Sequence, residues 1–500
     1  MVLVKSDVVQ TKWISNDRFN DIPQDHMTRF LVDFIDEFLI EEIDEKLEEK
    51  LGRPIFPKKT LLKILIYGEI NRVSSTEEIA DLVRNHHYYH FVADDLKPSA
   101  RTLRRFKDEY GFLFEFILHS TITKAKKDDI TDFNHISIDG TIARSNNSNY
   151  NIIKLNEIDL LLDLLKLKQK EIDEYLKDKN SVKLRRSAYK LLKNKNQTVD
   201  EKIDMLNKLK EILLESGQSS VGLSDCDARW MNNKKNQKEL SFNIQGSADY
   251  KSGLILVLNA TQDPTDRNQL IPQIENIKEV LSEYPTIISA DYGFRTHKNL
   301  EYLKSKEIDG YIPNQKQSRE NKGKKSSNPY HKDYFLYDEE IDAYICPENQ
   351  VLSFQREYIY KKKPRRLYYT DKCKICPVKE KCTKSNYRII SEFGNDVEKE
   401  MNKKMYSKHG KKEYSKRMKT IEPIFGVLKK QHNLNEMDEH GIEKIQTELN
   451  LMAAAYNLKQ LYSHKMKDEK QKKKNLEEFK KDIQTRFPNG KLKLDIINKK

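Results

Sequence analysis

Between residues 134 and 314 the hydrophobic pattern switches repeatedly between the two-residue period of a strand and the 3.6-residue period of a helix. Within NHISIDGTIARSN at 134–146, residues 135–139 read as a buried strand ending in a carboxylate, Asp139, with Gly140 allowing close approach just beyond it. ELSFNIQGSAD at 239–249 and LILVLNAT at 254–261 read as two strands around a turn at 250–253. A helix over 266–282, a strand TIISAD ending at Asp291, a short helix over 297–305 and a strand GYIPN at 310–314 follow. That order predicts an α/β fold on a mixed sheet. Open α/β sheets place their sites at strand C-terminal ends, where Asp139 and Asp291 both fall.

The flanks read differently. Residues 25–51 set apolar positions at helical spacing against an acidic face, and a second helix is expected over 58–67. Ser74 or Ser75 before Thr76, Glu77 and Glu78 starts a third, and Ser99 is the N-cap expected for ARTLRRFKDEY. Short helices with tight turns, the last carrying Arg101, Arg104, Arg105 and Lys107, resemble a helix-turn-helix-type DNA-binding module. The plainer alternative is a helical bundle with a basic surface helix. Residues 1–125 are therefore expected to form an all-α DNA-binding domain and 130–462 the α/β domain. Inside the latter, 155–216 reads as a helical insertion packed on itself and 315–395 as a β-rich, cysteine-containing insertion that opens with a mobile loop at 315–332. The Lys-rich stretch from 463 to 500 reads as a basic tail with too few apolar residues to fold alone.

Charge sharpens this division. Across 500 residues the net charge is +13, yet residues 1–50 carry −7, residues 401–430 carry +8 and residues 465–500 carry +7. Such clustering points to a polyanion partner, double-stranded DNA above all; a solvated helix face plus a frayed tail is the bland alternative. No apolar run approaches the ~18 residues of a spanning helix. The opening MVLVKSDVVQ lacks a basic region followed by an apolar one, so no signal peptide is expected. With five cysteines, an odd number and no disulfide framework, a reducing, cytoplasmic location is expected.

One acid stands apart. Glu422 sits in the most basic stretch of the chain, EYSKRMKTIEPIFGVLKKQHN, flanked by Ile421, Ile424 and Phe425. Pro423 after it predicts that the helix starts anew or kinks there. Lys429, two turns on, faces the same side as Glu422. Together they make either a surface ion pair or a metal ligand beside a phosphate clamp. Cys346, Cys373, Cys376 and Cys382 combine one C-x2-C with two further thiols; this reads as a structural zinc site, less readily an iron–sulfur cluster, or as reduced structural cysteines.

The ordered fragments SIDGT, DARW, FNIQ, the step from Asp266 to Gln269 and Leu270, SADYGF, and the set Tyr414, Arg417, Glu422, Pro423, Phe425, Gly426 and Lys429 resemble the DDE transposases of bacterial insertion sequences. The likeness is to the branch with a ribonuclease-H-like core, an N-terminal helical domain and a cysteine-containing insertion, and it spans about residues 27–460. It implies that Asp139, Asp291 and Glu422 bind two divalent ions, Mg2+ or alternatively Mn2+. A related group separates its Tyr, Arg, Glu and Lys by two, three and six residues, whereas here the gaps are two, four and six. Either Arg417 or Lys419, one turn before Glu422, can then fill the arginine's place. Arg417, Lys419, Lys429 and Lys430 would position the DNA backbone around the site.

The residue types suit the chemistry. In-line cleavage of a phosphodiester with two metals needs a few carboxylates and no covalent nucleophile. The resemblance implies cleavage at terminal inverted repeats, joining of the 3′-OH to target DNA, and a homodimer on DNA in the bacterial cytoplasm, with no membrane. Two rivals remain: a nuclease of this fold without strand transfer, and a non-catalytic DNA-binding protein derived from a transposase.

Overall fold

The structure, a computed structural model, describes residues 19–38, 56–167, 184–194, 196–233, 236–321, 328–338, 340–360, 363–393 and 396–486. Among the described residues six helices come first: α1 (Met27–Phe38), α2 (Lys58–Ile70), α3 (Thr76–Asn85), α4 (His87–Val92), α5 (Ala100–Glu109) and α6 (Phe112–Lys127). Ser75 caps α3 by accepting from the Glu78 amide, and Ser99 caps α5 by accepting from Thr102. A serine hydroxyl there satisfies an amide with no partner inside its own helix. The second half of the expected 25–51 helix lies outside the described residues.

β1 (His135–Arg144) opens the sheet, and β2 (Ile152–Lys154) leads into α7 (Leu155–Leu165), α8 (Arg186–Lys193) and α9 (Val199–Ser216). β3 (Ser220–Gly222) returns to pair with β2. These three helices close on a hydrophobic cluster of their own, with Ile158, Leu161, Leu206 and Leu213 at its centre. A Thr198–Glu201 capping box starts α9, and Gly217, at φ 64°, ends it in the left-handed region that a side chain disfavours.

The chain then re-enters the sheet through β4 (Arg229–Asn232), β5 (Lys238–Asp249) and β6 (Ile255–Thr261), followed by α10 (Leu270–Leu281), β7 (Ile287–Ala290), α11 (His297–Ser305) and β8 (Asp309–Tyr311). β4 and β6 both pair with β5, and the order continues β5-β1-β7-β8. β5 runs antiparallel to β1 and β6, while β1, β7 and β8 are parallel. This is the mixed sheet of a ribonuclease-H-like core.

After α12 (Gln315–Asn321) comes a second, antiparallel sheet of β9 (Leu336–Asp338), β10 (Ala343–Ile345), β11 (Val351–Tyr360), β12 (Lys363–Tyr369) and β13 (Ile390–Phe393), with the short α13 (Lys379–Cys382) between the last two. Its small core is Phe335, Tyr344, Leu352, Tyr368 and Ile390. Three helices close the described residues: α14 (Asp396–Tyr406), α15 (Lys408–Gln431) and α16 (Ile442–Arg486).

α15 and α16 bind the parts together. One continuous core joins α1–α6, the mixed sheet and α16. Buried Asn457 of α16 donates to Ile255 O (2.8 Å) and Thr121 Oγ1 (2.9 Å) and accepts from Ile255 N, fixing α16 to β6 and α6 at once. At the end of α15, buried His432 Nδ1 meets Glu69 Oε1 of α2 at 2.6 Å.

Four expectations need correction. β1 does not end at Asp139 but continues five residues to Arg144, because β5 keeps pairing with it as far as Ser241. Helix α15 neither stops nor restarts at Pro423; it runs through, and proline there leaves the Lys419 carbonyl without its usual donor. The first part of the expected loop at 315–332 is helical, since the Asn314 side chain accepts from the Gln317 amide and Gln317 Oε1 from the Asn314 amide. Residues 463–486 extend α16 instead of fraying, because that helix has already nucleated on the core. No helix among the described residues is long and apolar enough to cross a membrane.

Candidate active site

The parallel pairing of β1 with β7 ends at Ile138 opposite Ala290. The next residue along each segment is an aspartate, so Asp139, still paired to β5, and Asp291, just past the end of β7, stand side by side. Asp291 also caps the turn that follows, its Oδ1 accepting from the Tyr292 amide at 2.7 Å. Asp139 Oδ1 accepts from the Gly140 amide at 3.0 Å.

The helix carrying the third acid lies across the same register. Asp139 pairs with Gly246 of β5. A Cβ on Gly246 would stand 2.9 Å from Phe425 Cζ and 3.4 Å from Ile421 Cδ1. The missing side chain lets α15 settle directly over the sheet at Asp139, with Ile421 and Phe425 buried on either side of Glu422. Glu422 itself turns outward, 46% exposed.

Arg417 ties the arrangement together. Only 4% exposed, it donates from Nη2 to Asp139 Oδ1 at 2.8 Å and from Nη1 to Glu422 Oε1 at 2.9 Å. Burial opposes the charge on Arg417, but Asp139, Tyr414, Asp291 and Glu422 together hold its pKa above the ordinary arginine value. Burial, reinforced by Asp291, raises the Asp139 pKa, and Arg417 offsets part of that. Burial also raises the Tyr414 hydroxyl, with the three carboxylates acting in the same direction.

The donor set fits a hard divalent cation, because it is made of carboxylate oxygens and already surrounds one positive charge, the guanidinium. Among the described residues, no three His, Cys, Asp or Glu side chains converge as they stand on a point an ion could take. At Asp139 and Glu422 the reason is visible: Arg417 bonds both and fills the space between them.

The other expected residues scatter. Lys429, half-buried, donates to Thr141 Oγ1 on β1, while Lys419 and Lys430 are exposed on α15. On α5, Arg101 is exposed, Arg104 pairs with Glu77, Arg105 with Glu109 at 2.6 Å, and Lys107 with Glu439 at 2.9 Å. The four cysteines Cys346, Cys373, Cys376 and Cys382 are free thiols lining one small cavity of about 30 Å3, and nothing there supports a bound zinc ion. The sequence reading passed over Gly246, although a glycine inside a strand is the usual sign of a close backbone approach. Two larger cavities adjoin the site. One of about 600 Å3 is lined by Tyr292, Arg295, Pro364 and Glu398 among others. The second, of about 530 Å3, includes Thr141, Arg144 and Lys429.

Two family models match the chain. "Transposase domain (DUF772)" covers residues 16–109, and "Transposase DDE domain" covers residues 345–462. The second span contains the four cysteines, Arg417, Glu422, Lys429 and Lys430; Asp139 and Asp291 lie outside both. No curated protein matches.

Proposed function

The two matched domains identify the chain as a member of the insertion-sequence DDE transposases, and from that premise we propose that Asp139, Asp291 and Glu422 form the centre that cuts the element's ends and joins them to target DNA. The observation that carries this reading is Arg417, which gathers a carboxylate from β1 and one from α15 around a single cation, beside Asp291 at the end of β7. The three acids would hold two divalent ions, Mg2+ or Mn2+, which when bound supply Lewis-acid stabilisation and an activated water or 3′-OH.

The chain's own groups do the rest. Arg417 keeps Asp139 and Glu422 at a fixed separation, and its planar fork also suits a pair of phosphate oxygens. Lys419 and Lys430, exposed on the same helix, offer point charges to the DNA backbone, while Lys429 lies closer in, against Thr141. Residues 1–125 would grip the terminal repeats, with Arg101 the one α5 cation of the four outside an ion pair, and the lysines of α16 beyond residue 463 would add salt-dependent affinity for any DNA. Holding two ends at once calls for two copies of the chain.

The test is strand transfer. Precut terminal-repeat DNA with free 3′-OH ends should be joined to a target plasmid in the presence of Mg2+. Cutting of flanked ends with no joining of precut ones would make the protein a nuclease instead.

A further inference from the structure

Asp266 opens the short 3-10 turn Asp266–Asn268 in front of α10, on the Asp266-to-Leu270 step that the proposed function leaves without a role. Its carboxylate lies where two glycines leave room. A Cβ on Gly140 would meet Asp266 Oδ1 and stand 3.0 Å from its Cγ; one on Gly293 would stand 3.1 Å from Oδ2. Neither glycine has the positive φ that would itself call for glycine. Space is what both positions require. Gly140 follows Asp139 and Gly293 comes two residues after Asp291, so one carboxylate is wedged against the backbone beside both aspartates.

Strand geometry says what it can do there. Successive side chains of β1 point to opposite faces of the sheet. Asp139 pairs with Gly246, over which α15 lies, whereas Gly140 pairs with Gln245, whose amide reaches Asp266. Asp266 therefore sits on the face away from Arg417 and Glu422 and does not join the Asp139 oxygens around one ion.

It is firmly held on that face. Asp266 Oδ1 accepts from Gln245 Nε2 at 2.8 Å and from Asn243 Nδ2 at 3.0 Å, and Gln245 Nε2 also donates to Asn243 Oδ1 at 2.9 Å. Asn299 Nδ2 donates both to Arg267 O (2.9 Å) and to Phe294 O (2.6 Å), locking the turn of Asp266 to the turn that follows Asp291.

We propose that Asp266 is a positioning residue that braces the backbone beside Asp139 and Asp291 from the reverse face, holding the two aspartates at the spacing a divalent ion requires. This rests on the triad reading above. Groups that orient metal ligands from behind typically carry about 10- to 100-fold in metal affinity.

Mn2+ alone, titrated into the full chain without DNA and followed by paramagnetic resonance, tests it. Asp266→Ala should bind Mn2+ about tenfold more weakly than the wild type, and Gln245→Leu should show a smaller loss in the same direction. Binding of terminal-repeat DNA should be unchanged in both. Asp266→Asn, which keeps an acceptor and the same outline, should restore most of the affinity. Mn2+ affinity within twofold of wild type in both Asp266→Ala and Gln245→Leu overturns the proposal, and so does an Asp266→Asn variant as weak as Asp139→Ala, since that would make Asp266 a ligand. If Asp139→Ala itself binds Mn2+ like the wild type, the triad reading is what fails.

Discussion

Helices α5 and α15 are the two most plainly basic helices near expected DNA contacts, and the fold treats their charges in opposite ways. On α5, Arg104, Arg105 and Lys107 each face an acid of the chain itself, and only Arg101 among the four stands exposed outside such a pair. On α15, the buried cation is ringed by carboxylates, while Lys419 and Lys430 point to solvent. A run of basic residues thus marks two different things: a surface neutralised within the fold, and a site where positive charge offsets acids that would otherwise repel.

The largest effect expected from this contrast is at Arg417. Arg417→Met removes the cation between Asp139 and Glu422 and leaves Asp139, mostly shielded from water, beside Asp291. Breaking a buried pair in this way costs about 3–5 kcal/mol, and the exposure of Glu422 reduces that to about 2–3 kcal/mol. Urea unfolding measures it. Arg105→Met on α5, where the pair is open to water, should change stability by less than about 0.5 kcal/mol. Equal losses in the two variants would erase the distinction.

A smaller effect concerns the ground behind α5. Glu448 of α16 is buried beside Lys107, and burial pushes its pKa up from 4.5 to about 7, with Asp438, Glu439 and Glu69 adding to the rise. A carboxyl whose folded pKa is raised is most favourable below its unfolded value, and its contribution is lost as pH rises through about 7. Stability should therefore fall between pH 5 and 8 by about 1–3 kcal/mol, and Glu448→Gln should flatten that decline. A variant with the wild-type pH profile would show that Glu448 does not titrate there.

The smallest effect is in DNA binding. Replacing Lys419 and Lys430 together by alanine should lower the slope of log affinity against log salt by about two, one for each phosphate no longer neutralised. The same change at Arg104 and Arg105 should leave the slope nearly as it was, because those charges already have partners. A larger drop in slope from the α5 pair would reverse the assignment of the DNA-facing helix.

What was legible in the sequence followed from local rules. The strand and helix periods placed β5, β6, β7 and α11 to within a residue or two, and the Ser75 and Ser99 caps fell as expected, because capping is a contact between near neighbours. The ends of β1, the passage of α15 through Pro423 and the helical end of α16 were not legible. Each depends on a partner distant in the chain: β5 for the first, the sheet under Gly246 for the second, the core around Asn457 for the third. The same holds at the site. Asp139, Asp291 and Glu422, the acids proposed for the centre, could be singled out one by one, but spacing along the chain left Arg417 and Lys419 as alternatives. Only the packing of α15 on Gly246 shows that Arg417 points inward between the acids while Lys419 points out. Asp266 was seen only as part of a step, since its two glycine neighbours come from elements 126 and 27 residues away.

The most direct test of the triad is Mg2+-dependent cleavage of DNA carrying the terminal repeats, compared between wild type and Asp139→Ala, with end binding measured on the same samples. The account predicts that the variant binds ends within about twofold of the wild type and cleaves at least about a hundredfold more slowly. Cleavage that persists in Asp139→Ala at the wild-type rate would place the chemistry elsewhere in the chain.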